Sequence, residues 1–390
     1  MADPSTSLPL CRDSVIEAHK LIKPFVHHTP TLTNATLSKI ASEPRAKGAA
    51  KPTMRLYFKC ENLQRIGAFK IRGAFHALER LKLEPGWTEG GGRERGVVTH
   101  SSGNHAQALS LAARDNGIPA HVVMPSIAPP TKIAATKGYG SNVVFSGSTS
   151  VEREAVTMEV IEKTGARLVP PYDHPDIILG QGTLGLELQD DAAKMIQLAA
   201  SGEAERNGGF NFVAPVATPK IPTGKKGLDA ILAPCGGGGM LSGVALSCED
   251  TGIRVFGCEP SFQGGDDAKR GFEAGKRVET VSTLTVADGL RTPLGKYPWE
   301  VIYEKKLVKG FFSVTEEEIV DALRLILERF KMVVEPSSAV PLAVALYNEE
   351  FRSLVEREAG EDGWDVGIVF SGGNVSLEAF GKLFASQESD

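Results

Sequence analysis

Gly67-Ala68-Phe69-Lys70-Ile71-Arg72-Gly73-Ala74-Phe75-His76 sets one lysine between two pairs of small residues, beside an aromatic ring. From Lys70 onward the apolar residues Ile71, Ala74, Phe75, Leu78 and Leu81 recur at helical spacing, which predicts a helix that opens on the lysine. The glycines and alanines let backbone or a flat ligand approach closely. Burial in such a setting disfavours the ammonium form of a lysine. The neutral amine that results is a nucleophile able to condense with a carbonyl cofactor. A solvated surface charge is the commoner fate of a lysine, so the rest of the chain has to decide.

Three times the chain repeats one plan of apolar strand, glycine-containing loop and helix. Val97-Val98-Thr99-His100 leads into Ser101-Ser102-Gly103-Asn104-His105 and a helix through Ala108, Leu109 and Ala112. Ala230-Ile231-Leu232-Ala233 leads into Pro234-Cys235-Gly236-Gly237-Gly238-Gly239 and a helix from about Met240 to Cys248. Val366-Gly367-Ile368-Val369-Phe370 leads into Ser371-Gly372-Gly373-Asn374 and a helix through Leu377 and Phe380. With the further strands His121–Met124 and Arg254–Gly257, this alternation predicts α/β layers with mostly parallel sheet. Ligands in such folds sit outside the carboxyl ends of strands, where all three loops fall.

Composition sets the outer bounds. At 390 residues, 42% hydrophobic and 23% charged, the chain suits two or three globular domains. A net charge of −5 argues against nucleic acid or an acidic membrane as the main partner. Cys11, Cys60, Cys235, Cys248 and Cys258 form no C-x-x-C pair and read as reduced intracellular thiols. The N-terminus lacks a signal-peptide pattern, and no apolar run approaches a membrane span, so a soluble cytoplasmic protein is expected. Residues 43–53, 84–96 and about 200–227 read as surface insertions, since they lack sustained periodicity.

Each loop carries its own chemistry. Consecutive glycines between a strand and a helix aim backbone N–H groups and the helix dipole at one spot, which holds a phosphate without a cation. A dinucleotide fold is the rival reading: Gly237, Gly239 and Ser242 approximate G-x-G-x-x-G, with Glu259 at the end of the next strand. The third glycine is missing, and Pro260 follows the acid directly. Ser101 to His105 form a polar cup at a helix N-terminus that suits a carboxylate, although a plain N-cap serine is the structural alternative. Ser371-Gly372-Gly373-Asn374 sets a hydroxyl at a strand end, and a structural turn explains that segment equally well.

Taken together and in order, these segments resemble the serine/threonine dehydratase and serine racemase family of pyridoxal-phosphate enzymes. Gly180-Gln181-Gly182-Thr183, Ala287-Asp288-Gly289 and Glu335-Pro336-Ser337 add lesser matches, and the resemblance covers roughly residues 10–385. It implies the type II (tryptophan-synthase-β-like) fold, with two domains, each a mostly parallel sheet flanked by helices. The large cofactor-binding domain would take residues 1–94 and 169–390, and a small mobile domain residues 95–168. Lys70 would hold pyridoxal 5′-phosphate and act as the base at Cα. Gly236, Gly237, Gly238, Gly239 and Met240 would hold the phosphate, Phe69 would lie beside the ring, Asn104 would meet the ring hydroxyl and Ser371 the pyridine nitrogen. Ser101, Ser102, Asn104, His105 and Arg153 would bind the substrate carboxylate. Ser102 is also the residue that racemases of the family use opposite the lysine. Ala106 stands where the family commonly shows glycine, a departure that tightens the loop.

The same resemblance implies a divalent cation, Mg²⁺, Ca²⁺ or Mn²⁺, at Glu259, Gly265 and Asp267, with Asp266 as the alternative acid. The implied activity is that of a β-eliminating ammonia-lyase on an L-serine- or L-threonine-type substrate, working as a homodimer. Serine racemase and 3-hydroxyaspartate dehydratase stand as alternatives, and a nicotinamide-dependent dehydrogenase as a remote one. About sixteen residues follow Asn374, so no C-terminal regulatory domain is expected. Tyr172 and Arg291 are candidates for the pocket wall.

Overall fold

A computed structural model describes residues 4–385 except 102, 129, 201–220 and 223. Ser102 and most of the insertion expected near 200–227 therefore lie outside the described residues. The strands are β1 (Thr31–Thr33), β2 (Met54–Cys60), β3 (Val97–His100), β4 (Ala120–Pro125), β5 (Asn142–Ser146), β6 (Arg167–Leu168), β7 (Ala230–Pro234), β8 (Arg254–Pro260), β9 (Val308–Val314) and β10 (Trp364–Phe370). They form a six-stranded sheet in the order β1-β2-β10-β7-β8-β9 and a four-stranded sheet in the order β5-β4-β3-β6. Only the short edge pair β1–β2 is antiparallel; the other pairings are parallel. Every residue of β2, β7 and β10 is buried, as expected for strands covered by helices on both faces.

The predicted helix at Lys70 runs Lys70–Lys82, and the one after the glycine run spans Gly239–Ser247. The latter packs against the helix Pro175–Ala200 at very close range. A Cβ on Gly182 would lie 2.6 Å from the Gly243 carbonyl, and one on Gly243 would lie 2.4 Å from that of Ile178. This contact seats the glycine run against the segment that leads into Pro175.

A buried charge cluster fixes the helix that opens on Lys70. The Arg72 guanidinium donates to both oxygens of Glu61 (2.8 and 2.8 Å) and both oxygens of Glu187 (2.8 and 2.7 Å). The Lys59 ammonium lies 2.7 Å from Glu187 and donates to the Thr29 carbonyl at 2.6 Å. Arg72 and Lys59 are fully buried. The cluster ties β2 to the helices Lys70–Lys82 and Pro175–Ala200, two residues beyond the lysine.

Candidate active site

Loop 371–374, at the carboxyl end of β10, clamps the chain just before Lys70. Phe69 N–H donates to the Ser371 carbonyl (3.0 Å), and Gly373 N–H donates to that of Gly67 (2.9 Å). The Asn374 amide donates to the Ile66 carbonyl (2.8 Å) and to Asn104 Oδ1 (2.9 Å). Ile66 and Gly67 both take left-handed backbone conformations, at φ 60° and 70°. For a β-branched residue that is strain held by its surroundings, and the Asn374 contact supplies the hold.

Lys70 is partly buried. Its Nζ donates to the Pro171 carbonyl at 2.7 Å and lies 5.2 Å from the centre of the Phe69 ring. Burial pushes its pKa down to about 8, with the Glu335 carboxylate opposing the shift. The next residue after Pro171 is Tyr172, whose ring packs on the glycine run: a Cβ on Gly237 would fall 2.5 Å from it. Gly238 takes φ 82° and precedes the helix Gly239–Ser247, whose N-terminus has no side-chain cap. Met240, in its first turn, is buried, and Gly236 packs against Gly289 and Leu290. The adjacent residues Pro171 and Tyr172 thus touch the amine on one side and the glycine run before an uncapped helix N-terminus on the other.

Glu335, to which the sequence assigns no role, lies in the wall of this site. Both of its oxygens accept from Asn104 Nδ2, at 3.2 and 3.1 Å. Burial raises its pKa to about 7, with Asp288 contributing. Asn104 opens the helix Asn104–Asp115, so its amide is held on one side by Glu335 and on the other by Asn374. Ser371 is buried, with its hydroxyl 3.0 Å from that of Ser338. An ion pair of 2.7 Å joins Lys132 to Asp288 across the two sheets' helices and loops.

Ser101 Oγ accepts from Gly103 N–H (3.3 Å), and the N-terminus of the helix Asn104–Asp115 carries no side-chain cap. His105 is buried with Nε2 against the Val169 carbonyl at 3.2 Å, and burial together with Lys70 pushes its pKa down to about 3. Its ring is therefore neutral and turned toward the residue that follows β6. Arg153, on the helix Ser150–Thr164, lies close enough to lower the pKa of His100, after burial the largest cause.

Glu259, near the end of β8, and Asp267, which opens the helix Asp267–Ala274, lie close enough to interact. Glu259 is buried and accepts from Ala268 N–H (3.1 Å) and Lys269 N–H (2.8 Å). Its pKa is raised well above the usual carboxylate range, chiefly by burial and then by Asp267. Asp267 accepts from Leu294 N–H (3.2 Å), and burial lifts its pKa to about 6. Asp266 instead pairs with Arg270 at 3.1 Å. Gly265 packs under the Pro260 carbonyl. Among the described residues no group of three or more His, Cys, Asp or Glu side chains is placed to hold a metal ion, and no helix is long and apolar enough to cross a membrane.

The titration of Lys70 has a sign that can be measured on the ligand-free chain. Its folded pKa of about 8 lies below the ordinary 10.5, so between these values the unfolded chain binds more protons. Stability from this residue is therefore expected to rise by ~3 kcal/mol as pH climbs through that window. Glu335 works in the opposite sense at lower pH: its folded pKa of about 7 exceeds 4.5, so stability falls as pH rises between them. Urea unfolding midpoints across both windows check this, and Lys70→Met is expected to flatten only the alkaline one.

Residues 42–372 match the family described as pyridoxal-phosphate dependent enzyme. The chain is 38% identical to the serine racemase of Arabidopsis thaliana over 96% of both proteins. It is 36% identical to the L-threo-3-hydroxyaspartate ammonia-lyase of Saccharomyces cerevisiae, again over 96% of both. The structure of maize serine racemase superposes with a TM-score of 0.75 at 37% identity, covering 97% of each chain. The dinucleotide reading of the glycine run has no support in these matches, and the dehydrogenase alternative falls with it. This chain belongs to the pyridoxal-phosphate-dependent enzymes of fold type II.

Proposed function

We propose that the protein is an ammonia-lyase that removes water from a small β-hydroxy amino acid of the L-serine, L-threonine or 3-hydroxyaspartate kind, giving a 2-oxo acid and ammonia. The observation that carries this reading is Lys70, an amine whose pKa burial lowers to about 8 and which hydrogen-bonds Pro171, next to the Tyr172 that packs on the glycine run. The residues present fit the cofactor: an amine that loses its proton near pH 8, and a glycine cradle that a Cβ would fill.

Lys70 would hold the cofactor's carbonyl carbon. The N–H groups of Gly236 to Met240 would hold its phosphate, Phe69 would flank its ring, Asn104 would meet the ring hydroxyl and Ser371 the ring nitrogen. Bound there, pyridoxal phosphate supplies an electron-withdrawing ring that acidifies the substrate's α-proton. Once the substrate's amine has replaced it on that carbon, the freed Lys70 amine would take that proton. Ser101, Ser102, Asn104, Arg153 and the backbone N–H of His105 would hold the substrate carboxylate at the N-terminus of the helix Asn104–Asp115. The β-hydroxyl would leave as water once its oxygen gains a proton. Hydrolysis of the released enamine gives the 2-oxo acid and ammonia. Residues 95–168 would act as a small domain that closes over the substrate, with Asn104–Glu335 and Lys132–Asp288 among its polar contacts to the larger one.

We further infer a Mg²⁺ or Ca²⁺ ion at Glu259, Asp267 and the Gly265 carbonyl. Two buried carboxylates, one of which raises the pKa of the other, suit a hard cation. Racemisation by Lys70 and Ser102 is the second reading, favoured by the serine racemases among the relatives.

A panel of serine, threonine and threo-3-hydroxyaspartate in both configurations tests both readings, with and without Mg²⁺. One or more of these is expected to release 2-oxo acid and ammonia in equal amounts. Absence of 2-oxo acid from every member would overturn the lyase reading. Exchange of the α-hydrogen into both enantiomers marks racemisation, and Ser102→Ala is expected to suppress that exchange more than tenfold while lowering elimination much less, through weaker carboxylate binding.

A further inference from the structure

Ser338 is fully buried in the helix Pro336–Tyr347, and its hydroxyl has three polar neighbours. Gly372 N–H lies at 2.9 Å, the Gly372 carbonyl at 2.8 Å and Ser371 Oγ at 3.0 Å. The N–H can only donate, so one lone pair of Ser338 is occupied. Its single proton then has two possible acceptors, the Gly372 carbonyl and Ser371 Oγ. That carbonyl already accepts from Glu335 N–H at 3.0 Å, so it is satisfied without Ser338. Ser371 Oγ has no hydrogen-bond partner other than Ser338 among the described residues.

We propose that Ser338 is a positioning residue that sets the direction of the Ser371 hydroxyl proton; this rests on the placement of the cofactor's ring nitrogen at Ser371. When Ser338 donates to Ser371 Oγ, the Ser371 proton is left to point out of the wall, toward the ring nitrogen. When Ser338 turns to the Gly372 carbonyl, Ser371 donates to Ser338 and offers only lone pairs. The two hydroxyls thus let Ser371 act as donor or acceptor by rotation alone, with no heavy atom moving. No bond is broken, and the proton count is the same in both settings. Because Gly372 forms a bridge to Ala68, the pair also sits on the strand contact that fixes the approach to Lys70.

The test is a spectrophotometric pH titration of the holoenzyme's visible band in the wild type, Ser338→Ala, Ser371→Ala and the double variant. Ser338→Ala is expected to shift the titration midpoint and to lower kcat roughly five- to tenfold with little change in KM. In the Ser371→Ala background the same substitution is expected to shift nothing further. A wild-type midpoint in Ser338→Ala, or an equal shift in both backgrounds, would overturn the proposal, because a purely structural role would act regardless of Ser371. Should Ser338→Ala lose the cofactor, Ser338→Cys replaces it with the same two outcomes. Failure of the cofactor assignment shows itself differently, as a visible band that is absent from the wild type or that survives Lys70→Ala.

Discussion

Lys70→Ala is expected to reduce ammonia release by more than about 10³-fold and to abolish the visible band of the cofactor-loaded protein. The same substitution is expected to leave the fold intact. Lys70 makes no ion pair among the described residues, and its one hydrogen bond is to a backbone carbonyl, that of Pro171. At pH 7 its amine is held in the charged form against its surroundings, since burial has lowered its pKa to about 8. Removing it therefore removes an unfavourable term of ~3 kcal/mol. Loss of activity with an unchanged or raised melting temperature separates a chemical role from a structural one. Lys70→Arg sharpens the contrast, because a guanidinium keeps the charge yet does not condense with a carbonyl.

Arg72→Met is expected to do the reverse, lowering stability by about 3–5 kcal/mol, because it leaves Glu61 and Glu187 buried without their shared partner. Burial raises the pKa of Glu187, and His19, Arg72 and Lys59 overcome it, so the carboxyl is held well below its ordinary range. A carboxylate with a depressed folded pKa contributes stability that is present above its ordinary value of 4.5 and lost as pH falls below it. The variant is thus expected to lose most at neutral pH and to approach the wild type in acid. Urea unfolding at pH 7 and in acid checks both statements. Cofactor affinity is expected to fall as well, since Arg72 anchors the turn that presents Lys70.

The parts of this site that were legible in the sequence are those built from contiguous residues. Helical spacing after Lys70 and the glycine run after β7 announce themselves locally, and both elements begin within one residue of expectation. The loop Ser371 to Asn374 is less direct. Its helix begins only at Leu377, and the loop's work is to clamp Ile66 to Phe69, some three hundred residues earlier in the chain. No periodicity signals such a contact. Arg72, Lys59, Glu61 and Glu187 read as ordinary surface charges until folding encloses them together. Glu335 and Ser338 were hidden for a similar reason: an acid before a proline and a serine in an apolar helix acquire meaning only through Asn104 and Ser371. His105 stands among the expected carboxylate-binding residues, but its ring faces the Val169 carbonyl, a partner that sequence spacing does not show. The short edge strand β1 gave no signal because three residues carry too little pattern.

The central claim is that Lys70 carries the cofactor. Borohydride reduction of the purified holoenzyme, followed by proteolysis and peptide mass mapping, tests it most directly. The account predicts the reduced cofactor's added mass on the peptide containing Lys70 and on no other lysine. The same mass on a different lysine, such as Lys132, or on none, would contradict it.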